Sequence, residues 1–181
     1  MSTVSPSLPL RKLMVAIAKS MEGVRENPKN SNRGDQVEQF QRATDLPGTG
    51  WPYCAAFVCW VVQQWGYKHE KEVLAALKLK DRAAFDKWRP KTAAAYGFDE
   101  WGISKGLKVW NEQKQPGLVL HTGDIFSLNT ASHCGMIYDD KGEIVYTIEG
   151  NTDESGSREG GGVYLKTRKR SHLRDLVRLL D

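Results

Sequence analysis

The sequence is poor in cysteine, with three in 181 residues, at positions 54, 59 and 134. Three cannot build a disulfide framework, and no Cys-x-x-Cys spacing offers a metal clasp, so all three are expected as free thiols. No run of about eighteen apolar residues occurs, which argues against a membrane span. The first residues, MSTVSPSLPLRKLMVAIAKSMEG, lack the apolar block and small-residue cleavage site of a signal peptide and are interrupted by Arg11, Lys12 and Lys19. The expectation is synthesis in the cytoplasm without a cleaved leader, so that work outside it depends on lysis or specialised secretion. Internal repeats and low-complexity tracts are missing. Charge of one sign is also scarce: 26 Lys plus Arg against 22 Asp plus Glu leave a formal net charge of +4, too little to argue for a nucleic-acid partner.

What remains is the composition of one globular domain over residues 1–181, with 40% hydrophobic and 27% charged residues. Leu10, Leu13, Met14, Ile17, Ala18 and Met21 recur at helical spacing and predict an amphipathic helix over about 9–23. Residues 27–34 read as a loop, followed by Asp35 as cap of a short helix that turns Val37 and Phe40 inward. From Trp51 to Val62 the chain is apolar nearly all round, which marks a buried helix ending near Gly66. Residues 70–111 read as largely helical.

Beyond Pro116 the period changes to that of strands, at 124–128, 134–138 and 144–148, with a turn at 139–142. A glycine-rich loop over 156–162 leads to a strand at 163–165, and Leu173, Leu176, Val177 and Leu180 predict a closing helix. Helices first and an antiparallel sheet after give an α+β fold. Basic residues concentrate between Arg158 and Arg178, above all in a tail from about 166. They form either a solvated edge or a surface that attracts an anionic polymer.

A thiol becomes a nucleophile as thiolate, and the first turn of a helix lowers its pKa. Cys54 sits two residues after Pro52, where the buried helix begins, with Gly48 and Gly50 keeping the approach open. Cys59 falls mid-helix among apolar neighbours and reads as a core thiol. A base is also needed, and His133 opens a strand on whose alternation it shares a face with Gly135 and Ile137, Gly135 leaving room for a helix end or a substrate. Glu149 and Asn151 lie on the next strand, two residues apart, as acceptors to orient the imidazole. Spacing alone leaves open a core cysteine, a satisfied polar histidine and a turn-capping asparagine.

Four segments together resemble the CHAP family of cysteine- and histidine-dependent amidohydrolases and peptidases. Tyr53-Cys54-Ala55-Ala56-Phe57-Val58 with Trp60 is similar to its nucleophile helix, and Gly123-Asp124-Ile125-Phe126 to the strand before its histidine. Ser132-His133-Cys134-Gly135-Met136-Ile137 resembles its histidine block, and Thr147-Ile148-Glu149-Gly150-Asn151-Thr152 its Glu-Gly-Asn-Thr segment. The likeness runs from about Glu22 to Arg168. It implies a papain-like core, with the nucleophile helix packed on a C-terminal antiparallel sheet, and a catalytic set of Cys54, His133, Glu149 and Asn151.

The implied activity is cleavage of an amide bond in bacterial peptidoglycan through an acyl-enzyme, by a wall-lytic enzyme or an interbacterial toxin. The implied partners are peptidoglycan or muropeptides, and for a toxin a cognate inhibitor or immunity protein. The place of action would be the periplasm or the cell wall. Trp51, Tyr53, Lys166, Arg168 and Arg170 are candidate substrate-binding residues. The segment 67–117 is long for a minimal domain of this family and is expected to add helices to one cleft wall. An acidic calcium loop of the kind some phage members carry has no counterpart before Cys54, so no metal or other cofactor is expected. Two other readings stay open: a small-molecule amidase of the glutathionylspermidine type, and a non-catalytic wall-binding module.

Overall fold

Helical spacing in the first segment produces α1 at Leu8–Lys19, with Met14, Val15, Ile17 and Ala18 buried along one stripe. The computed structural model describes residues 7–155 and 160–181. Residues 156–159 of the expected glycine-rich loop, with Arg158 of the basic run, therefore lie outside the described residues. Helix α2 spans Asp35–Gln41 and buries Val37 and Phe40 as expected, but its cap is Gly34, with Asp35 already inside the first turn.

Helix α3, Cys54–Lys68, is the centre of the molecule: eleven of its residues are buried, from Cys54 to Gly66. It does not stop at Gly66. Glycine is needed there because a Cβ would stand 2.0 Å from the Phe85 ring, so the helix continues to Lys68 with another helix pressed against it. Helix α4 (Glu70–Leu77) follows. Tyr67, Phe85, Trp88 and Trp101 form a chain of aromatic contacts with centroids 5.4–6.3 Å apart, which binds the two helices α5 (Arg82–Trp88) and α6 (Gly97–Ser104) to this end of α3.

The described residues form six α-helices and one six-stranded antiparallel sheet, so the α+β class holds. The strands are β1 (Lys108–Asn111), β2 (Ile125–Leu128), β3 (Cys134–Asp140), β4 (Ile144–Thr152), β5 (Gly162–Lys169) and β6 (Leu173–Arg178), in the order β1-β6-β2-β3-β4-β5. A single 3-10 turn at Arg170–His172 joins β5 to β6. No helix among the described residues is long and apolar enough to cross a membrane.

Two expectations on the sheet are corrected. Residues 108–111 are a strand and not the end of a helical stretch, because Trp110 buries against Leu173 and Leu176 while Lys108–Asn111 pair with Asp175–Arg178. The closing helix is likewise strand β6, between β1 and β2. Its misleading spacing has a physical origin. Leu176 pairs with Phe126 and Leu173 with Leu128, so three steps of β6 face two of β2, and this extra residue puts both leucines in the same cluster. Val177, one residue on, packs into the core on the helix side, so both faces of the strand are apolar.

Alternation in the two central strands sets up the site. Cys134, Met136 and Ile148 face the helices, whereas Ile137 and Val145 face the second cluster. Gly150 allows α3 to lie close on β4, since a Cβ there would stand 2.7 Å from that of Phe57.

Candidate active site

Cys54 is the first residue of α3, and Phe57 N donates to Tyr53 O at 2.8 Å to begin the helix. The N–H groups of the first turn therefore have no acceptor within the helix and point toward the sulfur's end of it. The segment leading to Cys54 is braced from both sides. Gln41 Nε2 donates to Trp51 O at 2.6 Å, and Gly50 N donates to Gln41 Oε1 at 3.3 Å. From the 67–117 segment, Arg89 Nη1 donates to Ala43 O at 2.7 Å and Asp45 N donates to Lys91 O at 2.9 Å. Residues 89–92 of that segment thus serve as a prop for the chain entering α3.

His133 and Cys134 stand at the start of β3 and both adjoin Cys54. The Cys54 thiol is drawn well below its ordinary pKa, first by hydrogen bonding from the Cys134 side chain, then by hydrogen bonding and charge attraction from His133, against the opposing effect of burial. Burial is the largest influence on His133 and would lower it, but hydrogen bonds with Cys54 and Glu149 outweigh it and raise the imidazole to about 9. The ionised pair, thiolate with imidazolium, is the favoured form. Cys134 is pushed well above its ordinary value, chiefly by burial, and stays a thiol that donates to Cys54.

The imidazole is oriented from its far side. His133 Nε2 meets Glu149 Oε2 at 2.8 Å, which leaves the buried Nδ1 as the nitrogen that faces Cys54. Glu149 is fully buried yet held as a carboxylate: burial raises its pKa, but Arg168 and then His133 pull it down to about 2. Gly135 makes the geometry possible in a way unlike the one expected. The space beside it is taken by the Glu149 side chain, whose Cγ would lie 2.7 Å from a Cβ at that position, and not by a helix end or a substrate.

The expected site residues divide into two groups. Cys54, His133 and Glu149 come together. Asn151 lies on the same strand at 2% exposure, in a left-handed conformation (φ 56°) within an irregular stretch of β4, and the hydrogen bond at Nε2 goes to Glu149. Trp51 is partly buried and donates its ring N–H to Gly48 O at 3.2 Å, beside the approach to Cys54.

The other four candidates serve inside the protein. Tyr53 is fully buried, its ring 6.1 Å from that of Phe40, and so is a core residue with no face for a substrate. Lys166 Nζ donates to Asp153 O at 2.9 Å. Arg168 grips Glu149, and Arg170 is paired with Glu112 at 2.7 Å and Asp140 at 3.3 Å. These three cations of the basic strip are thus intramolecular ties, each with an oxygen of the protein to satisfy, whereas Lys169 between them is exposed.

Sequence reasoning assigned Arg168 to the substrate and not to Glu149, and missed Thr147 and Cys134 as neighbours of the site. A signal for Arg168 did exist: a glutamate in an otherwise apolar strand needs a cation on an adjoining one. A cavity of about 790 Å³ opens elsewhere, lined by Glu112, Gly142, Lys169 and Arg170 among others, and contains none of the site groups. No cluster of His, Cys, Asp and Glu suited to a metal ion occurs among the described residues. No family model matches this chain, and no curated protein matches it in sequence.

Proposed function

We propose that this chain is a cysteine amidohydrolase or endopeptidase of the CHAP type, with a papain-like core, acting on amide bonds of bacterial peptidoglycan. The observation that carries the reading is the row Cys54–His133–Glu149, with the cysteine on the first turn of a buried helix and the carboxylate 2.8 Å from the imidazole. A binding module has no use for a buried thiolate, imidazolium and carboxylate in line, since each costs desolvation energy. The motifs around these residues point to the wall as substrate, with the periplasm or cell wall as the place of action.

In the reaction the Cys54 thiolate attacks the amide carbon, and the N–H groups at the start of α3 receive the developing oxyanion. His133 passes its Nδ1 proton to the departing amine as the C–N bond breaks, leaving a thioester on Cys54. A water then gives its proton back to His133 while its oxygen attacks the thioester carbon. The acid product leaves, and the thiolate–imidazolium pair is restored. Glu149 holds the imidazole's orientation and balances its charge throughout.

The test is incubation of purified sacculi with the protein and with Cys54→Ala, followed by mass spectrometry of soluble fragments. New amine and carboxyl ends from the parent alone are the expected result, and their identity names the bond. Binding to sacculi without release would favour a wall-binding module. Release of spermidine from glutathionylspermidine with no action on sacculi would make the protein a small-molecule amidase.

A further inference from the structure

Each carboxylate oxygen of Glu149 accepts two hydrogen bonds. Oε1 takes Arg168 Nε at 2.9 Å and Thr147 Oγ1 at 2.5 Å, while Oε2 takes Arg168 Nη2 at 2.5 Å and His133 Nε2 at 2.8 Å. An ionised carboxylate has about four lone-pair positions, and here all are filled. The guanidinium is a two-pronged clamp that fixes the plane of the carboxylate, so that Oε2 faces the imidazole. Arg168 side-chain exposure is 13% and that of Glu149 is 0%, so the clamp is part of the interior and not a surface contact.

We propose that Arg168 is a positioning residue of the site, which fixes Glu149 against His133 and completes a buried row of two anions and two cations. Resting on the reading of Cys54 as nucleophile, this assigns Arg168 the role of a fourth member that never touches substrate. Thiolate, imidazolium, carboxylate and guanidinium alternate in sign along the row. Without the guanidinium the reactive form has an uncompensated negative charge inside the protein, and taking up a proton at Cys54 is the simplest relief. The groups around Cys54 are His133, Cys134 and, deeper in α3, Cys59; around Glu149 they are Arg168, His133 and Thr147, with Tyr164 opposite on β5.

The test needs no substrate: the rate of Cys54 alkylation by iodoacetamide, followed by peptide mapping across pH, reports the thiolate directly. For Arg168→Gln the acid limb is expected to move to higher pH by about one unit, and for Arg168→Lys, which keeps the charge but loses the fork, by clearly less. Superimposed profiles for parent and Arg168→Gln, with only a lower melting temperature, would overturn the proposal and leave Arg168 a structural residue. Should Arg168→Gln not fold, Arg168→Lys decides. Retained alkylation with sacculus hydrolysis reduced at least tenfold supports positioning, and unchanged hydrolysis overturns it. A shifted profile in a protein that cleaves no sacculus bond would support Arg168 and overturn only the substrate. Absence of selective Cys54 labelling in the parent would overturn both.

Discussion

Gly135 and Glu149 face each other across β3 and β4 so closely that a methyl group on Gly135 would stand 2.7 Å from Glu149 Cγ and 2.8 Å from Ile148 O. The only ways to fit it are to part the strands or to push the carboxylate off the imidazole. Gly135→Ala is expected to lower hydrolysis by about a hundredfold, the usual scale for displacing a catalytic partner by roughly an ångström. Single-turnover rates beside circular dichroism will check this: parent-like rates in a folded variant would mean that Glu149 need not stand where it does.

The three thiols separate by exposure. Cys54 retains 6% while Cys59 and Cys134 have none, so an alkylating reagent is expected to label position 54 first and abolish activity in step. Cys54→Ala should remove hydrolysis and leave the fold intact. Cys59, whose thiol meets Thr92 O at 3.4 Å and is pushed up by burial, is a packing group. Cys59→Ala should therefore remain active at a cost of about 1–2 kcal/mol in stability, at the small end of buried truncations. Cys134→Ala should stay active but require a higher pH to form the Cys54 thiolate, since the donated hydrogen bond is lost. Inactivation tracking label at 59 or 134 in peptide maps would refute the assignment of the nucleophile.

The parts of this arrangement that were legible in the sequence are those governed by local pattern. Pro52 before an apolar run announces α3 with Cys54 at its start, and alternation announces β3 and β4. That Cys54, His133 and Glu149 belong together is implied by the four-segment resemblance, since spacing alone leaves it open. What escaped was set by pairing between distant segments. The bulge between β2 and β6 gave a strand the spacing of a helix, and Arg168 turned inward because Glu149 was there to meet it. Gly66 read as a helix end and proved to be a contact with Phe85, which only the packing of α5 decides.

Acidity should act on rate and on stability differently. Hydrolysis by the proposed route requires thiolate and imidazolium together, so activity is expected to rise as Cys54 loses its proton, well below the ordinary thiol value of 9.0, and fall as His133 loses its own through about 9. For stability, a His133 raised from 6.5 contributes most below 6.5 and loses that contribution as pH rises through about 9. Cys54, lowered from 9.0, contributes with the opposite slope, present at high pH and lost as pH falls. Above pH 6.5, wherever the folded Cys54 has already lost its proton, the pair holds one proton whether folded or unfolded up to about 9, so the slopes cancel and the melting temperature should be flat. Glu149, lowered from 4.5 to about 2, adds roughly 3 kcal/mol that is present above 4.5 and lost as pH falls toward 2. Melting curves from pH 2 to 10 should show the plateau, and Glu149→Gln should lose the acid slope between 4.5 and 2.

Asp124 belongs to a motif that resembles a catalytic family, yet its work is structural. Its two oxygens take Arg178 Nε at 2.9 Å and Arg178 Nη2 at 2.7 Å, and Oδ2 also accepts from His121 N at 2.7 Å. Both side chains are buried, at 0% and 4% exposure. Asp124→Ala leaves the buried Arg178 charge with a looser, 3.7 Å pairing to exposed Asp181 and should cost about 3–5 kcal/mol, with Cys54 alkylation unchanged well below the melting point. Urea unfolding set against alkylation rates will separate the two effects; a loss of Cys54 reactivity at parent-like stability would place Asp124 in the catalytic apparatus instead.

Arg170 provides the last contrast, because on sequence grounds it is a candidate substrate-binding residue in a strip of charge that reads either as a solvated edge or as a surface attracting an anionic polymer. In the fold it ties Glu112 and Asp140 together and also donates to the backbone oxygen of Leu118. Its side chain is 18% exposed, so little of the charge is available for long-range steering. Arg170→Gln should thus leave binding to sacculi, and its dependence on salt, close to those of the parent. It should instead lower stability by about 1–3 kcal/mol, the scale for charged hydrogen bonds lost around a buried carboxylate. Cosedimentation across a salt series, run beside thermal melts, distinguishes the two roles. Weaker binding with a flatter salt dependence at unchanged melting temperature would restore Arg170 to the polymer-binding surface.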